Sequence, residues 1–368
     1  MRFQTFAWPL LFAFFLAGAA AAQQNEIVAF GDPFPEIRLP APTDPAARDY
    51  LGISDGVTFT PSLIRADVLL VEILNVHCPH CQMQMPSFNE LYNLIEQNAG
   101  TRGRIKMLGI AAGNLPDEVQ DFTRRYQVPF PMFADPRFQA HRAIGGSATP
   151  FSIYVRQDSP GKPGVVAGTH LGLNTRYEST YTELQRLTGI SVAELRRQGQ
   201  AAARVRQAIT PLFSEQELEY RVRTAFTTSG GRIVDFARLD LRSGRRVYTA
   251  LMRRGDHEVR LFAEATSRPS VCDICHDVHF IYLFDTDARV IGFEPLQLTK
   301  YGNVNWNAGD VEKMRRRMVG RYLTVPHSYD PRVDAVTSAT ITSAIIFDSL
   351  EQGEALLEEL REQGLLKK

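Results

Sequence analysis

Four cysteines stand in the chain as two pairs, Cys78-Pro79-His80-Cys81 and Cys272-Asp273-Ile274-Cys275. Two sulfurs separated by two residues can close a disulfide, hold a soft metal or carry a thioether-linked group, so neighbours must decide between these chemistries. His276 follows the second pair, which completes the five-residue pattern of a c-type haem attachment. Two further stretches carry chemistry. Glu72 lies inside the apolar run Val68-Leu69-Leu70-Val71-Glu72-Ile73-Leu74, where an unpaired carboxylate is costly. Asp334-Ala335-Val336-Thr337-Ser338-Ala339-Thr340 crowds small and hydroxylated side chains ahead of the apolar Ala344-Ile345-Ile346-Phe347. That arrangement reads either as an ordinary helix cap or as a cradle in which an anion meets free backbone N–H groups.

The elements around the first pair place it at a strand-to-helix turn. The run at 66–74 reads as a strand buried on both faces, and a helical pattern continues through Phe88–Ile95. At a helix N-terminus the free N–H groups and the dipole stabilise a thiolate, which makes Cys78 the attacking sulfur. Cys81, one turn on, is expected to be buried and to resolve the mixed disulfide. His80 is expected to favour the Cys78 thiolate, and Glu72 to relay a proton to Cys81. Further strands at 105–110 and 151–155, with a helix at 117–126, give an alternating α/β pattern over 27–190. Ala148-Thr149-Pro150 opens the strand at 151, and a proline there is often cis.

This segment resembles the exported branch of the thioredoxin superfamily, related to TlpA-like and peroxiredoxin-like proteins, from Gly31-Asp32-Pro33 through Cys78–Cys81 to Thr149-Pro150. Its Cys-Pro-His-Cys is like that of the periplasmic oxidase DsbA. The resemblance implies Cys78 as nucleophile, Cys81 as resolver, Glu72 as buried acid and Pro150 as cis-proline. The Pro and Thr that precede a peroxidatic cysteine are absent before Cys78.

The texture changes beyond a polar, Arg- and Ala-rich connector helix expected over 191–212. Strand-like runs at 232–241, 245–252, 257–263, 278–284 and 290–295 alternate with turn signals, and helices return near 310–319 and 342–350. That is an antiparallel sheet with flanking helices, an α+β region over 213–364. Its segment Asp334–Thr340 resembles the flavinylation motif of FMN-binding domains found in the flavin subunits of sodium-pumping NADH:quinone reductase and Rnf complexes. The resemblance implies FMN linked by a dedicated flavin transferase through its phosphate to Thr340, with Asp334, Thr337, Ser338 and Ala339 completing the motif.

The second cysteine pair keeps three readings open. These are a redox or structural disulfide at Cys272 and Cys275, a haem with His276 as proximal and His279, His257 or His327 as distal ligand, and a metal site using His276 and His279. At the N-terminus, Arg2 precedes an apolar run and Ala20-Ala21-Ala22, which reads as a signal peptide over 1–22 and places the mature protein in an oxidising periplasm. The balance of 41 basic and 41 acidic residues argues against nucleic acid as a partner. The expected protein is a periplasmic redox flavoprotein that couples thiol–disulfide exchange with protein thiols to electron transfer through FMN. The alternatives are a non-enzymatic electron carrier serving a membrane complex or cytochrome, and a thiol reductase of haem maturation.

Overall fold

The computed structural model describes residues 26–53, 56–199, 209 and 211–367. The expected signal peptide and most of the second half of the expected connector lie outside these residues. No helix among them is long and apolar enough to cross a membrane.

The N-terminal sheet has five strands: β1 (Val68–Leu74), β2 (Ile105–Ala112), β3 (Met132–Asp135), β4 (Phe151–Arg156) and β5 (Val165–Leu171), in the order β3-β2-β1-β4-β5. β1 pairs in parallel with β2 and antiparallel with β4, so the sheet is mixed. Every residue of β1 is buried because both faces are covered. Val68, Leu70 and Leu74 face helix α1 (Pro79–Gln97), while Leu69, Val71 and Ile73 face the opposite core with Phe138 and Ile144. Helix α1 buries Cys81, Met85, Phe88, Leu91 and Ile95, a three-to-four spacing that turns one stripe onto the sheet. Helices α2 (Pro116–Tyr126), α3 (Gln139–Ala143), α4 (Tyr177–Leu187) and α5 (Val192–Gly199) complete this layer arrangement.

The C-terminal sheet is a five-stranded antiparallel meander, β6 (Arg232–Leu239), β7 (Val247–Arg254), β8 (His257–Arg268), β9 (Val278–Asp285) and β10 (Val290–Gln297). The sequence pattern gives β9 one buried face, with Val278, Phe280, Tyr282 and Phe284. In the structure both faces are buried. Ile281 and Leu283 meet helix α6 (Glu215–Thr228), and Phe280, Tyr282 and Phe284 share a core with α8 (Thr340–Glu351). Helices α7 (Ala308–Met318) and α9 (Gly353–Glu362) flank it.

The two sheets are tied together. One cluster of buried apolar residues runs from Val71 and Ile153 to Phe280 and Ile346. The nearly buried Asp348 on α8 accepts from Arg142 on α3 at 2.5 Å and from Arg268 on β8 at 2.8 Å. Charges this far from water hold their positions only when paired, so these contacts fix the relative placement of the two sheets.

Candidate functional site

The site begins with the N-terminus of α1. Cys78 is the N-cap, with extended backbone at φ −76°, ψ 122°, and Pro79 occupies the first helical turn, where its missing N–H is of no consequence. Facing it is the loop that carries the second pair. Thr149 and Cys272 form a parallel bridge. The Thr149 N–H donates to the Val271 carbonyl at 2.7 Å, and the Asp273 N–H donates to the Thr149 carbonyl at 3.1 Å. The Thr149 hydroxyl donates to the same Val271 carbonyl at 2.6 Å. Thr149-Pro150 is the cis peptide bond. The loop is therefore bound as an added strand at the edge of the first cysteine site.

That pairing brings the sulfurs together. Cys78 Sγ lies 3.8 Å from Cys272 Sγ, across 194 positions of sequence. Both are sealed from solvent, at 0% and 1% exposure. Cys81 is buried, as expected, but so is Cys78, because the second loop roofs it. All four cysteines are present as thiols.

The loop itself is held from several sides. Cys272 N–H donates to Ser270 Oγ at 3.1 Å, Asn303 Nδ2 donates to the Ile274 carbonyl at 2.9 Å, and His276 N–H donates to Asn303 Oδ1 at 3.0 Å. Gly172, whose N–H donates to the Pro150 carbonyl, adopts φ +88° beside Asp273. A side chain there would be strained and would reach van der Waals contact with the Asp273 carboxylate.

Electrostatics separate the four thiols into two kinds. The Cys272 thiol donating to its sulfur, with Cys81 adding a second donor, lowers the Cys78 pKa to about 3. Burial and the neighbouring Cys78 raise that of Cys81. Within the second pair, hydrogen bonding to Cys275 and Cys78 raises Cys272, and the Cys272 thiol lowers Cys275. Each pair thus has one sulfur that favours thiolate and one that favours thiol.

Two expected roles change. His80 does not serve Cys78: its Nδ1 meets the Asp273 carboxylate at 2.8 Å, so it clasps the second loop. The acidification of Cys78 comes from neighbouring sulfurs instead. Glu72 is fully buried, but its carboxyl oxygens accept from Gln84 Nε2 at 2.7 Å and from Ser152 Oγ at 2.6 Å, and among the described residues it has no hydrogen bond to Cys81. Burial raises its pKa to about 8, so it is protonated at neutral pH.

The expected flavin residues divide. Ser338, Ala339 and Thr340 line a cavity of about 260 Å³ together with Thr299, Lys300, Tyr301, Ser270, His77 and Cys275. Asp334 and Thr337 do not line it. Asp334 is buried, accepts from the Asp330 N–H at 3.0 Å and shapes the approach to α8. Ser338 has φ 60°, a left-handed conformation that glycine enters most easily, so the turn ahead of Thr340 is held in a tight geometry.

The metal-compatible group differs from the expected one. Cys78, Cys272 and Asp273 offer ligand atoms within 4.8 Å of one another. His279 is instead buried and bonded to Ser267 Oγ at 2.9 Å. A cation there would occupy both facing sulfurs and stop exchange between them. Sequence reasoning missed Thr149–Val271, His80–Asp273 and Asn303. None has a local signal, since each joins segments far apart in the chain.

Residues 30–159 match the profile of the AhpC/TSA family. Similar solved structures include a putative thiol:disulfide interchange protein DsbE from Chlorobium tepidum, with 17% identity over 44% of this chain and 99% of that one, at a TM-score of 0.35. A secreted thiol-disulfide isomerase from Corynebacterium glutamicum shares 18% identity over 45% of this chain and 91% of that one, at a TM-score of 0.34. A putative thioredoxin from Neisseria meningitidis shares 19% identity over 38% and 85%, at a TM-score of 0.31. No curated protein matches the chain in sequence.

Glu72 makes stability depend on pH in a defined direction. An unfolded chain releases this proton near pH 4.5 and the folded chain near 8, so folding takes up a proton in between and stability falls as pH rises through that window. Glu72→Gln keeps an acceptor for Gln84, presents its amide N–H to the Ser152 hydroxyl, which turns to accept, and removes the titration. In urea unfolding at several pH values, the wild type should lose on the order of 5 kcal/mol at most relative to the variant across this window. Parallel curves would show that Glu72 titrates normally. The N-terminal region is a thioredoxin-like α/β domain matching the AhpC/TSA family over residues 30–159.

Proposed function

We propose that the protein is a thiol–disulfide relay in which Cys78–Cys81 exchanges electrons with Cys272–Cys275, and that flavin mononucleotide on Thr340 is the next carrier. The observation that carries the reading is the 3.8 Å approach of Cys78 Sγ to Cys272 Sγ, bracketed by the Thr149–Val271 pairing. A sulfur at this distance needs little movement to form a mixed disulfide.

The step starts from reduced Cys78–Cys81 and a Cys272–Cys275 disulfide. The Cys78 thiolate attacks Cys272 Sγ, the Cys272–Cys275 bond breaks and Cys275 leaves as a thiolate. Cys81 then loses its proton and attacks Cys78, closing the Cys78–Cys81 disulfide and releasing Cys272, which takes a proton. Two electrons have moved from the first pair to the second, and the reverse uses the same contacts. Cys81, with its raised pKa, is the slower sulfur, so the mixed disulfide waits on its deprotonation.

The residues present fit a flavin phosphate. Helix α8 starts at Thr340 without a side-chain cap at Ala339, which leaves first-turn N–H groups for an anion, and Lys300, Thr299 and Thr342 stand around the same cavity. Thr342 and Trp306 both donate to the Thr299 carbonyl, at 2.9 and 3.2 Å, and hold that wall in place. Flavin mononucleotide bound there would supply a carrier able to pass between one- and two-electron steps. The Cys272 sulfur pressed against Cys78 argues against a c-type haem at this pair. A porphyrin at Cys272 would displace the whole loop. The sulfur contact also favours the relay over a passive carrier, which has no use for it. Protein thiols, a flavin transferase and an exported location complete the reading.

Two measurements test it. Cys81→Ser combined with Cys275→Ser removes both resolving sulfurs, so oxidised protein should accumulate a Cys78–Cys272 disulfide, seen by peptide mapping. Two free thiols, or intermolecular dimers, would contradict the relay. For the flavin, co-expression with a flavin transferase should add one FMN to the intact mass, and Thr340→Ala should abolish it. An adduct that survives in Thr340→Ala would move the attachment elsewhere.

A further inference from the structure

We infer that the two cysteines of the second pair have separate partners: Cys275 is the sulfur that meets the flavin, and Cys272 the sulfur that meets Cys78. The assignment rests on the relay reading and adds an order to it.

Three observations carry it. Cys275 is the one cysteine lining the cavity that also holds Thr340, while Cys78, Cys81 and Cys272 are absent from its walls. The Cys275 N–H donates to the Cys272 carbonyl at 3.2 Å, so a tight turn joins the two, yet their exposure differs. Cys272 is sealed against Cys78 at 1% exposure, whereas Cys275 is half-buried. The turn is fixed by Ser270 and Asn303, which leaves little freedom for the sulfurs to trade places. The cavity is closed on one side by His77 and Pro79, so its occupant lies beside the first site without touching Cys78.

The chemistry balances in this order. Exchange with Cys78 leaves Cys272 as a thiol and Cys275 as a thiolate. Closing the Cys272–Cys275 bond then releases two electrons and one proton, which an oxidised flavin in the cavity would accept together as its reduced anion. Cys275, whose pKa the neighbouring Cys272 thiol lowers, is the sulfur of the pair that more readily presents a thiolate to the cavity. A thiolate in that position would give a charge-transfer complex with an oxidised flavin bound in the cavity.

The test uses the full chain carrying FMN, prepared anaerobically as Cys272→Ser and as Cys275→Ser. Cys272→Ser should show long-wavelength charge-transfer absorbance that is lost on alkylation with iodoacetamide, and Cys275→Ser should show none. The reverse pattern, or no band in either variant, overturns the assignment. Failure of the protein to hold FMN overturns it as well. If a variant does not fold, reduced wild type serves: bound FMN should protect Cys275, and leave Cys272 unchanged, in mass-resolved alkylation. Protection of Cys272 alone, or of neither, overturns the assignment. Formation of the Cys78–Cys272 disulfide in the doubly substituted chain separates the two levels. If that disulfide forms and the band does not, the relay stands without this order, whereas its absence removes the relay itself.

Discussion

The fit of one loop into the edge of another site organises this molecule. Two backbone hydrogen bonds between Thr149 and the Val271–Asp273 segment set the register. A one-residue slip would turn Cys272 to the other side, because successive residues of an extended strand point in opposite directions. The His80–Asp273 contact and the turn at Gly172 secure the same register from either flank. The Asp348 pairings with Arg142 and Arg268 hold the sheets so that the loop can sit there at all.

Burial then does the electrostatic work. In an exposed site a thiolate is stabilised by water, and a neighbouring thiol adds little. Here Cys78 is shut away from solvent, so its charge depends on the sulfurs and N–H groups around it. The same enclosure raises Cys81 and Glu72. One site therefore holds a thiolate, a high-pKa thiol and a protonated carboxyl within one buried layer. Enclosure also limits partners, because a folded protein substrate would have to displace the Ser270–Cys275 loop before reaching Cys78.

Much of the fold was legible because it is local. The run at 68–74, the helix at Cys78 and the turn signals after 229 each carry their own pattern, and the strands and helices fall close to where those patterns end. The small-residue stretch before Thr340 likewise marks a cavity wall, though Asp334 and Thr337 stand outside it. The site was legible only in halves. Both cysteine pairs are visible in the sequence, but their meeting is a contact across 194 positions that no spacing rule encodes. His80 illustrates the cost: in sequence it stands between the two cysteines of the first pair, while its partner in space is Asp273. The roofing of Cys78 was illegible for the same reason.

The contact between the two pairs is best tested by watching the charge on one sulfur. NMR of cysteine Cβ carbons, enriched in ¹³C, follows each thiol through a pH titration of the reduced chain. In the wild type Cys78 should remain thiolate down to about pH 3, and Cys272→Ala should raise that midpoint by removing the donor above it. An unchanged midpoint in Cys272→Ala would mean that the two sulfurs do not meet in solution, and the relay would lose its foundation.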